Sequence, residues 1–233
     1  MPAPSAPITH KTLTWRVCMG TLHVLYTLLW PTRIVGRDRV PRSGRIVVVA
    51  NHQSFLDIPL VAKGVLRRHV SFVARDSLAR SRFLAFVMRN CGAILIGRGR
   101  ADRGALRSMI AHLEAEDAIA IFPEGTRSPD GLLRTPKKGA LVAARKAGAA
   151  IVPCAVVGTH RAWPRGRRFP RPGRVEVRFG DPIDSTRPDA LEVTWAAVAE
   201  LLGQPAPAPT EHPQNTDDAN ASSAQHQPIS ENP

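Results

Sequence analysis

The 233-residue chain holds only three cysteines, one tyrosine and twelve aromatic side chains in all. Cys18, Cys91 and Cys154 stand far apart and no C-x-x-C pair occurs. Neither a disulfide framework nor a zinc ribbon can be assembled from them, and a reducing compartment suits such usage. Cys91 and Cys154 lie among apolar residues, as small buried hydrophobes do. A G-x-S-x-G nucleophile elbow is missing, which argues against a serine hydrolase of that kind. Scarce aromatics and the lack of a nucleic-acid-binding motif argue against a nucleic-acid binder, although charge alone would permit one. A metal hydrolase would need a second histidine cluster, and none is present.

Acidic residues are few where basic ones are many. All 32 Lys and Arg precede Gly203, and only 15 of the 19 acidic residues do, so the body carries a net charge of +17. Such a body calls for an anionic partner: nucleic acid, an anionic membrane or a phosphorylated substrate. With 43% hydrophobic residues and a mean hydropathy of −0.13, the chain is neither a polytopic membrane protein nor wholly disordered. Three regions are expected: an N-terminal helix over 1–33, one α/β domain over 34–203, and a disordered tail over 204–233. The tail has almost no large apolar residue and cannot offset its own ordering entropy.

No stretch near the N-terminus is long enough for an ordinary membrane span. The fourteen residues from Val17 to Trp30 carry no Lys, Arg, Asp or Glu, and as a helix they cover about 21 Å, against the ~30 Å of a hydrocarbon core. A signal-peptide cleavage site is also lacking after them. Trp15, Tyr26 and Trp30 near the two ends, with basic flanks, suit a helix lying in the headgroup region. A helix packed on the domain core is the alternative.

Between these ends, short runs rich in β-branched residues recur: 46–50, 70–74, 93–96, 118–122, 150–157 and 175–179. They suit strands buried on both faces. Helical patterns lie between several of them, one with an apolar face from Ala105 to Leu113, one stopped by Gly148, and a last one from about Pro188 to Leu202, ended by Gly203. Strands alternating with helices predict an α/β fold with a mostly parallel sheet flanked by helices.

Three His-x4-Asp pairs occur: His52/Asp57, His112/Asp117 and His212/Asp217. Fewer than one is expected by chance, so placement must choose among them. His52 leaves the end of the buried run 46–50, where α/β sheets put ligand sites, and Pro59 suits a helix start just after Asp57. Asp57 can meet the imidazole there, or merely cap the helix. On one regular helix His112 and Asp117 are about 140° apart, too far round to pair. His212/Asp217 falls in the tail. The segment Phe122-Pro-Glu-Gly-Thr-Arg-Ser128 follows a second strand run in the same way. Pro123 and Gly125 make a tight turn, and Arg127 offers a planar fork suited to phosphate or, equally, to solvent. Glu124 could accept hydrogen bonds from hydroxyls, and Lys137 and Lys138 add charge nearby in sequence. Arg98 ends a third run. If the three strands are parallel neighbours, their ends form a site for an alcohol activated by a base beside a bound phosphate.

In these blocks the chain resembles the glycerol-phosphate and lysophosphatidate acyltransferases, above all the 1-acylglycerol-3-phosphate acyltransferase family. NHQSFLD (51–57), GAILIGR (92–98), FPEGTRS (122–128) and IVPCAVV (151–157) come in the family's order, with KKGA (137–140) and RVEVRFGDPI (174–183) also alike. Leu95 and Pro136 stand where the family usually has aromatic residues, a difference that bears on acyl-chain and acceptor preference. The resemblance implies a general base at His52 oriented by Asp57, and a glycerol-phosphate site from Arg98, Glu124, Gly125, Thr126, Arg127 and Lys137. It places Pro153 beside the acyl chain. It further implies acyl-CoA or acyl-carrier-protein as co-substrate, no other cofactor and no metal. The acceptor it implies is lysophosphatidate, or else another lyso-lipid such as lyso-ornithine lipid. The location implied is the cytoplasmic face of the inner membrane, held peripherally or monotopically on an anionic surface, with no nucleic-acid partner.

Overall fold

The computed structural model describes residues 13–65, 68–75, 93–96 and 103–207. Cys91, Arg98 and His212/Asp217 lie outside the described residues. Helix α1 (Leu13–Leu29) leads into β1 (Thr32–Val35), β2 (Ile46–Ala50), α2 (Asp57–Gly64), β3 (Val70–Arg75) and β4 (Ile94–Ile96). There follow α3 (Arg103–Glu114), β5 (Ala118–Ile121), α4 (Val142–Ala147), β6 (Ala150–Val157), the single turn α5 (Thr159–Ala162), β7 (Val175–Phe179) and α6 (Ala190–Leu202). The strands build one seven-stranded sheet in the order β1-β7-β6-β2-β5-β3-β4. Every neighbouring pair is parallel except β6 and β7, so the expected mostly parallel α/β fold is present.

The β-branched runs behave as strands covered on both sides, because every residue of β2 is buried. Ile46, Val48 and Ala50 join Tyr26, Trp30, Leu60 and Val61 in one apolar cluster under α1 and α2. Val47 and Val49 point the other way, into a cluster with Leu113, Ala144, Trp195 and Val198 from α3, α4 and α6. Alternation along a strand thus divides one run of valines between two cores.

Four sequence expectations are corrected. The first concerns α1 and the residue that follows it: Tyr26 and Trp30 are core residues, 4% and 3% exposed, and not headgroup anchors. Tyr26 donates from its hydroxyl to the Leu56 carbonyl at 3.4 Å, and the Trp30 indole donates to the Arg171 carbonyl at 2.7 Å. The outer stripe of the same helix, Leu13, Val17, Val24 and Leu28, stays 59–77% exposed. These four lie within about 60° of one another around the helix. One end of α1 is therefore docked while its apolar outer stripe is uncovered.

The second concerns the condition set for the three strand ends: β2 and β5 are neighbours, but β3 lies between β5 and β4. The third moves the expected tail boundary. Gly203 closes α6 in the left-handed region, and Gln204 then donates its backbone N–H to Ala199. The Gln204 side chain accepts from Leu133 N–H and donates to Gly131 O. Gln204 is thus part of the fold; residues 208–233 lie outside the described ones.

The fourth concerns the second His-x4-Asp pair, which does meet. Nδ1 of His112 and Oδ2 of Asp117 are 2.9 Å apart, and both side chains are buried. The 140° objection assumed a continuous helix, but α3 ends at Glu114. Glu116 turns left-handed at φ 60°, and Asp117 N–H returns to the His112 carbonyl. The reversal swings the carboxylate back over the last turn. His112 Nε2 is buried and no described residue accepts from or donates to it, so this pair is sealed inside the protein. Its role is to fasten the end of α3 to the start of β5. His112→Ala is expected to cost roughly 3 kcal/mol by stranding a buried carboxylate. Denaturant unfolding should register that loss while turnover per folded molecule stays at the parental value.

Candidate active site

Because β2 and β5 are parallel neighbours, with Val49 opposite Ile121, the loops that follow them leave the same edge of the sheet. That edge is where open α/β sheets hold ligands. Asp57 is the first residue of α2, and an acidic group there is favoured by the helix dipole. Its Oδ2 accepts three hydrogen bonds: from Gln53 N–H at 2.6 Å, Ser54 N–H at 2.7 Å and His52 Nδ1–H at 2.9 Å. The carboxylate is fully buried. An acceptor-only partner fixes the proton on Nδ1 and leaves Nε2 with its lone pair. No described residue binds Nε2, and the His52 side chain is 14% exposed. The ring lies flat on Phe122, with centroids 4.2 Å apart.

The second loop clamps the backbone of the first. Glu124 Oε1 accepts from His52 N–H at 2.9 Å, and Ser128 N–H donates to the His52 carbonyl at 2.8 Å. Gln53 donates from its side chain to Gly131 O at 2.6 Å. Glu124 is buried, and its Oε2 has no partner among the described residues. Burial is the main cause that pushes its pKa up to about 8; the His52 N–H opposes the rise and the Asp57 charge adds to it.

Arg127 lies with its guanidinium 3.7 Å over the Phe55 ring, and Phe55 in turn meets Trp163 edge-on at 5.8 Å. Burial first, then the charge of Arg165, hold the guanidinium below its ordinary pKa, and Asp57 opposes them. No described residue accepts a hydrogen bond from the Arg127 side chain, so its in-plane donors are open. Gly125 is left-handed at φ 68°, and a Cβ there would stand 2.8 Å from Lys137 Nζ. A side chain there would be strained by the left-handed backbone and would push the ammonium group away from this turn. Lys137 is fixed by its own N–H to the Pro123 carbonyl. Thr126 is exposed beside them.

The fold thus gathers His52, Asp57, Glu124, Gly125, Thr126, Arg127 and Lys137. Pro153 is not brought to them. It sits within β6 opposite Val49, against Gly180, on the face covered by α6. Sequence reasoning missed Asn51 and Phe55. The Asn51 amide replaces one further rung between β2 and β6, accepting from Val156 N–H at 2.7 Å and donating to Val156 O at 3.1 Å. A carboxamide between a strand and a histidine was the available signal. Phe55 gave none, because its partner Arg127 is 72 residues away. Cys154 is fully buried, as expected; burial and then the Asp57 charge push its thiol well above the usual range, which suits an inert side chain. Among the described residues no three metal-ligating side chains cluster. Chemically, the site can take a proton at Nε2 beside a cation ready for an anionic group.

A family model described as Acyltransferase matches residues 31–157. The chloroplastic 1-acyl-sn-glycerol-3-phosphate acyltransferase of Arabidopsis thaliana is 33% identical over 162 residues, covering 68% of this chain and 45% of that protein. The alpha form from Mus musculus is 32% identical over 170 residues, covering 70% of this chain and 59% of that protein. The chain spans about half the length of the first curated relatives it matches. A crystal structure of the 1-acyl-sn-glycerophosphate acyltransferase of Thermotoga maritima superposes with a TM-score of 0.69 at 31% identity, covering 80% of this chain and 78% of that one. With more than half of its residues matched by the family model, on a fold shared with that enzyme, this chain belongs to the acyltransferase family.

Proposed function

We propose that the protein transfers a fatty acyl group from an acyl-CoA or acyl-carrier-protein thioester to the sn-2 hydroxyl of 1-acylglycerol-3-phosphate, giving phosphatidate. The observation that carries this reading is the open Nε2 of His52, oriented by Asp57, beside the fork of Arg127, which no described residue pairs. The relatives, named as 1-acylglycerol-3-phosphate acyltransferases, support the same acceptor. In this reading His52 Nε2 removes the hydroxyl proton as the oxygen bonds to the thioester carbonyl carbon. The tetrahedral intermediate then collapses, the C–S bond breaks, and the imidazolium returns the proton to the departing thiolate. Asp57 holds the tautomer and stabilises the imidazolium. Arg127 and Lys137 take the acceptor's phosphate, with Gly125 and Thr126 beside it; Arg98 is kept in that group by the family resemblance alone.

Glu124 holds the His52 backbone through Oε1. The exposed stripe of α1 and the basic body favour an anionic membrane surface, on the cytoplasmic face of the inner membrane. Among the described residues no helix is long and apolar enough to cross a membrane.

Product mass spectrometry with a panel of lyso-lipids and both donors tests the assignment. Phosphatidate should dominate, and a preference for lyso-ornithine lipid would overturn the acceptor. Arg127→Lys, which loses the planar fork, should raise KM for 1-acylglycerol-3-phosphate while leaving that of the donor nearly unchanged. His52→Ala should lose ~10²–10⁴-fold in turnover while staying folded, and Asp57→Asn somewhat less. Near-normal turnover in a folded His52→Ala protein would remove the proposed base.

Glu124 makes a separate prediction about pH. Its pKa rises on folding from 4.5 to about 8, so the native state keeps a proton that the unfolded chain releases. The stability this provides is complete below pH 4.5 and is lost as pH rises toward 8, at up to about 1.4 kcal/mol per pH unit. Glu124→Gln abolishes that titration and keeps an acceptor for His52 N–H. The melting temperature of the parent should therefore fall more between mildly acidic and mildly alkaline pH than that of Glu124→Gln. Parallel curves would show that the carboxyl is not protonated in the native state.

A further inference from the structure

Six arginines and no acidic residue occupy the fourteen positions from Arg161 to Arg174. All six side chains are exposed, and none forms an ion pair with a described carboxylate. Self-repulsion among so many like charges would normally loosen a surface loop. This loop is instead pinned along its backbone. Trp163 donates from its indole to Arg167 O at 2.9 Å, Arg171 N–H reaches Ala162 O at 2.8 Å, and the Trp30 indole reaches Arg171 O at 2.7 Å. Gly173 N–H donates to Leu29 O at 3.2 Å. Two tryptophans thus serve to hold a loop whose charged side chains meet no counter-charge among the described residues.

Within this stretch Phe169 is 67% exposed, with the Arg168 guanidinium 5.2 Å over its ring. A large apolar side chain among arginines is the composition of a surface that meets headgroups and acyl chains together. The position of the loop is equally specific. It is tied to Leu29 and Trp30 at the end of α1, next to Leu28, the last member of the uncovered apolar stripe and 75% exposed. Its root is tied to the site, since Ser54 Oγ donates to Trp163 O at 2.8 Å and Trp163 packs on Phe55, the platform of Arg127.

We propose that the Arg161–Arg174 loop is a second membrane-contacting element, in which Arg167, Arg168, Arg171 and Arg174 bind the phosphates of anionic lipid headgroups and Phe169 enters the interface. The proposal deepens the reading of a membrane-lipid substrate and rests on it. An acidic protein or a nucleic acid would match the charge, but neither accounts for Phe169 or for continuity with the α1 stripe. Seated in this way, the loop sets the turn carrying His52, Phe55 and Asp57 at headgroup level.

The test uses the full chain and vesicles of phosphatidylcholine with or without phosphatidylglycerol. Three variants are compared with the parent: Arg167→Ser/Arg168→Ser/Arg174→Ser, Phe169→Ser, and Leu13→Ser/Val17→Ser/Val24→Ser/Leu28→Ser. The triple arginine variant should bind phosphatidylglycerol vesicles roughly 10²-fold more weakly, with a flatter salt dependence. Its weak binding to neutral vesicles should not change. Phe169→Ser should weaken binding to both. Turnover on a short-chain acceptor dispersed as monomers should be parental for the loop variants. Parental vesicle binding by the triple variant, whether or not an acidic carrier protein is then bound less well, would overturn the proposal. So would a loss of turnover on the dispersed acceptor without a loss of vesicle binding. If the α1 variant alone detaches, the membrane reading survives and the loop assignment fails. If the parent binds no vesicle, both fail.

Discussion

One carboxylate oxygen organises this site. Asp57 Oδ2 collects the N–H groups of Gln53 and Ser54 and the Nδ1–H of His52, all within 2.9 Å. A fully buried charge is tolerable only when its hydrogen bonds replace the water it has lost. That requirement fixes the path of the 52–57 turn, because all three donors must converge on one point. The tautomer of His52, the exposure of its Nε2 and the start of α2 are consequences of the same convergence.

A turn held only from within could still pivot as a unit on the end of β2. The loop after β5 prevents this by taking both backbone groups of His52, one on Glu124 and the other on Ser128. Asn51 adds a bond to β6 on the other side. The histidine is therefore gripped by the two strands that flank β2. Glu124 serves from a buried position in which its carboxyl holds a proton into neutral pH. Tyr26 extends the framework to α1 through the Leu56 carbonyl, so the helix with the uncovered stripe is in direct contact with the catalytic turn proposed here.

The two described His-x4-Asp pairs have the same spacing and nearly the same 2.9 Å contact, yet they differ in what surrounds the second nitrogen. His52 Nε2 opens at the edge of the sheet, whereas His112 Nε2 is sealed behind it. Contact between imidazole and carboxylate is thus no mark of catalysis. Access is what separates a proton acceptor from an internal fastening.

By itself the sequence determined the α/β class, the buried strands, and the His52/Asp57 and FPEGTRS turns as a pair of strand-end motifs. These features are local: periodicity, β-branching and turn residues are set by neighbours a few positions apart. Tertiary structure decided the rest. It paired His112 with Asp117 through a left-handed reversal at Glu116, which no helical wheel contains. It put Tyr26 and Trp30 in the core, set β3 between β4 and β5, and turned Pro153 to the far face. It brought Glu124 to the backbone of His52, 72 residues away, and laid Arg127 on Phe55. Each of these depends on strand order and on which side of a sheet a chain passes. Both are fixed by the collective burial of two apolar faces rather than by any short stretch of residues.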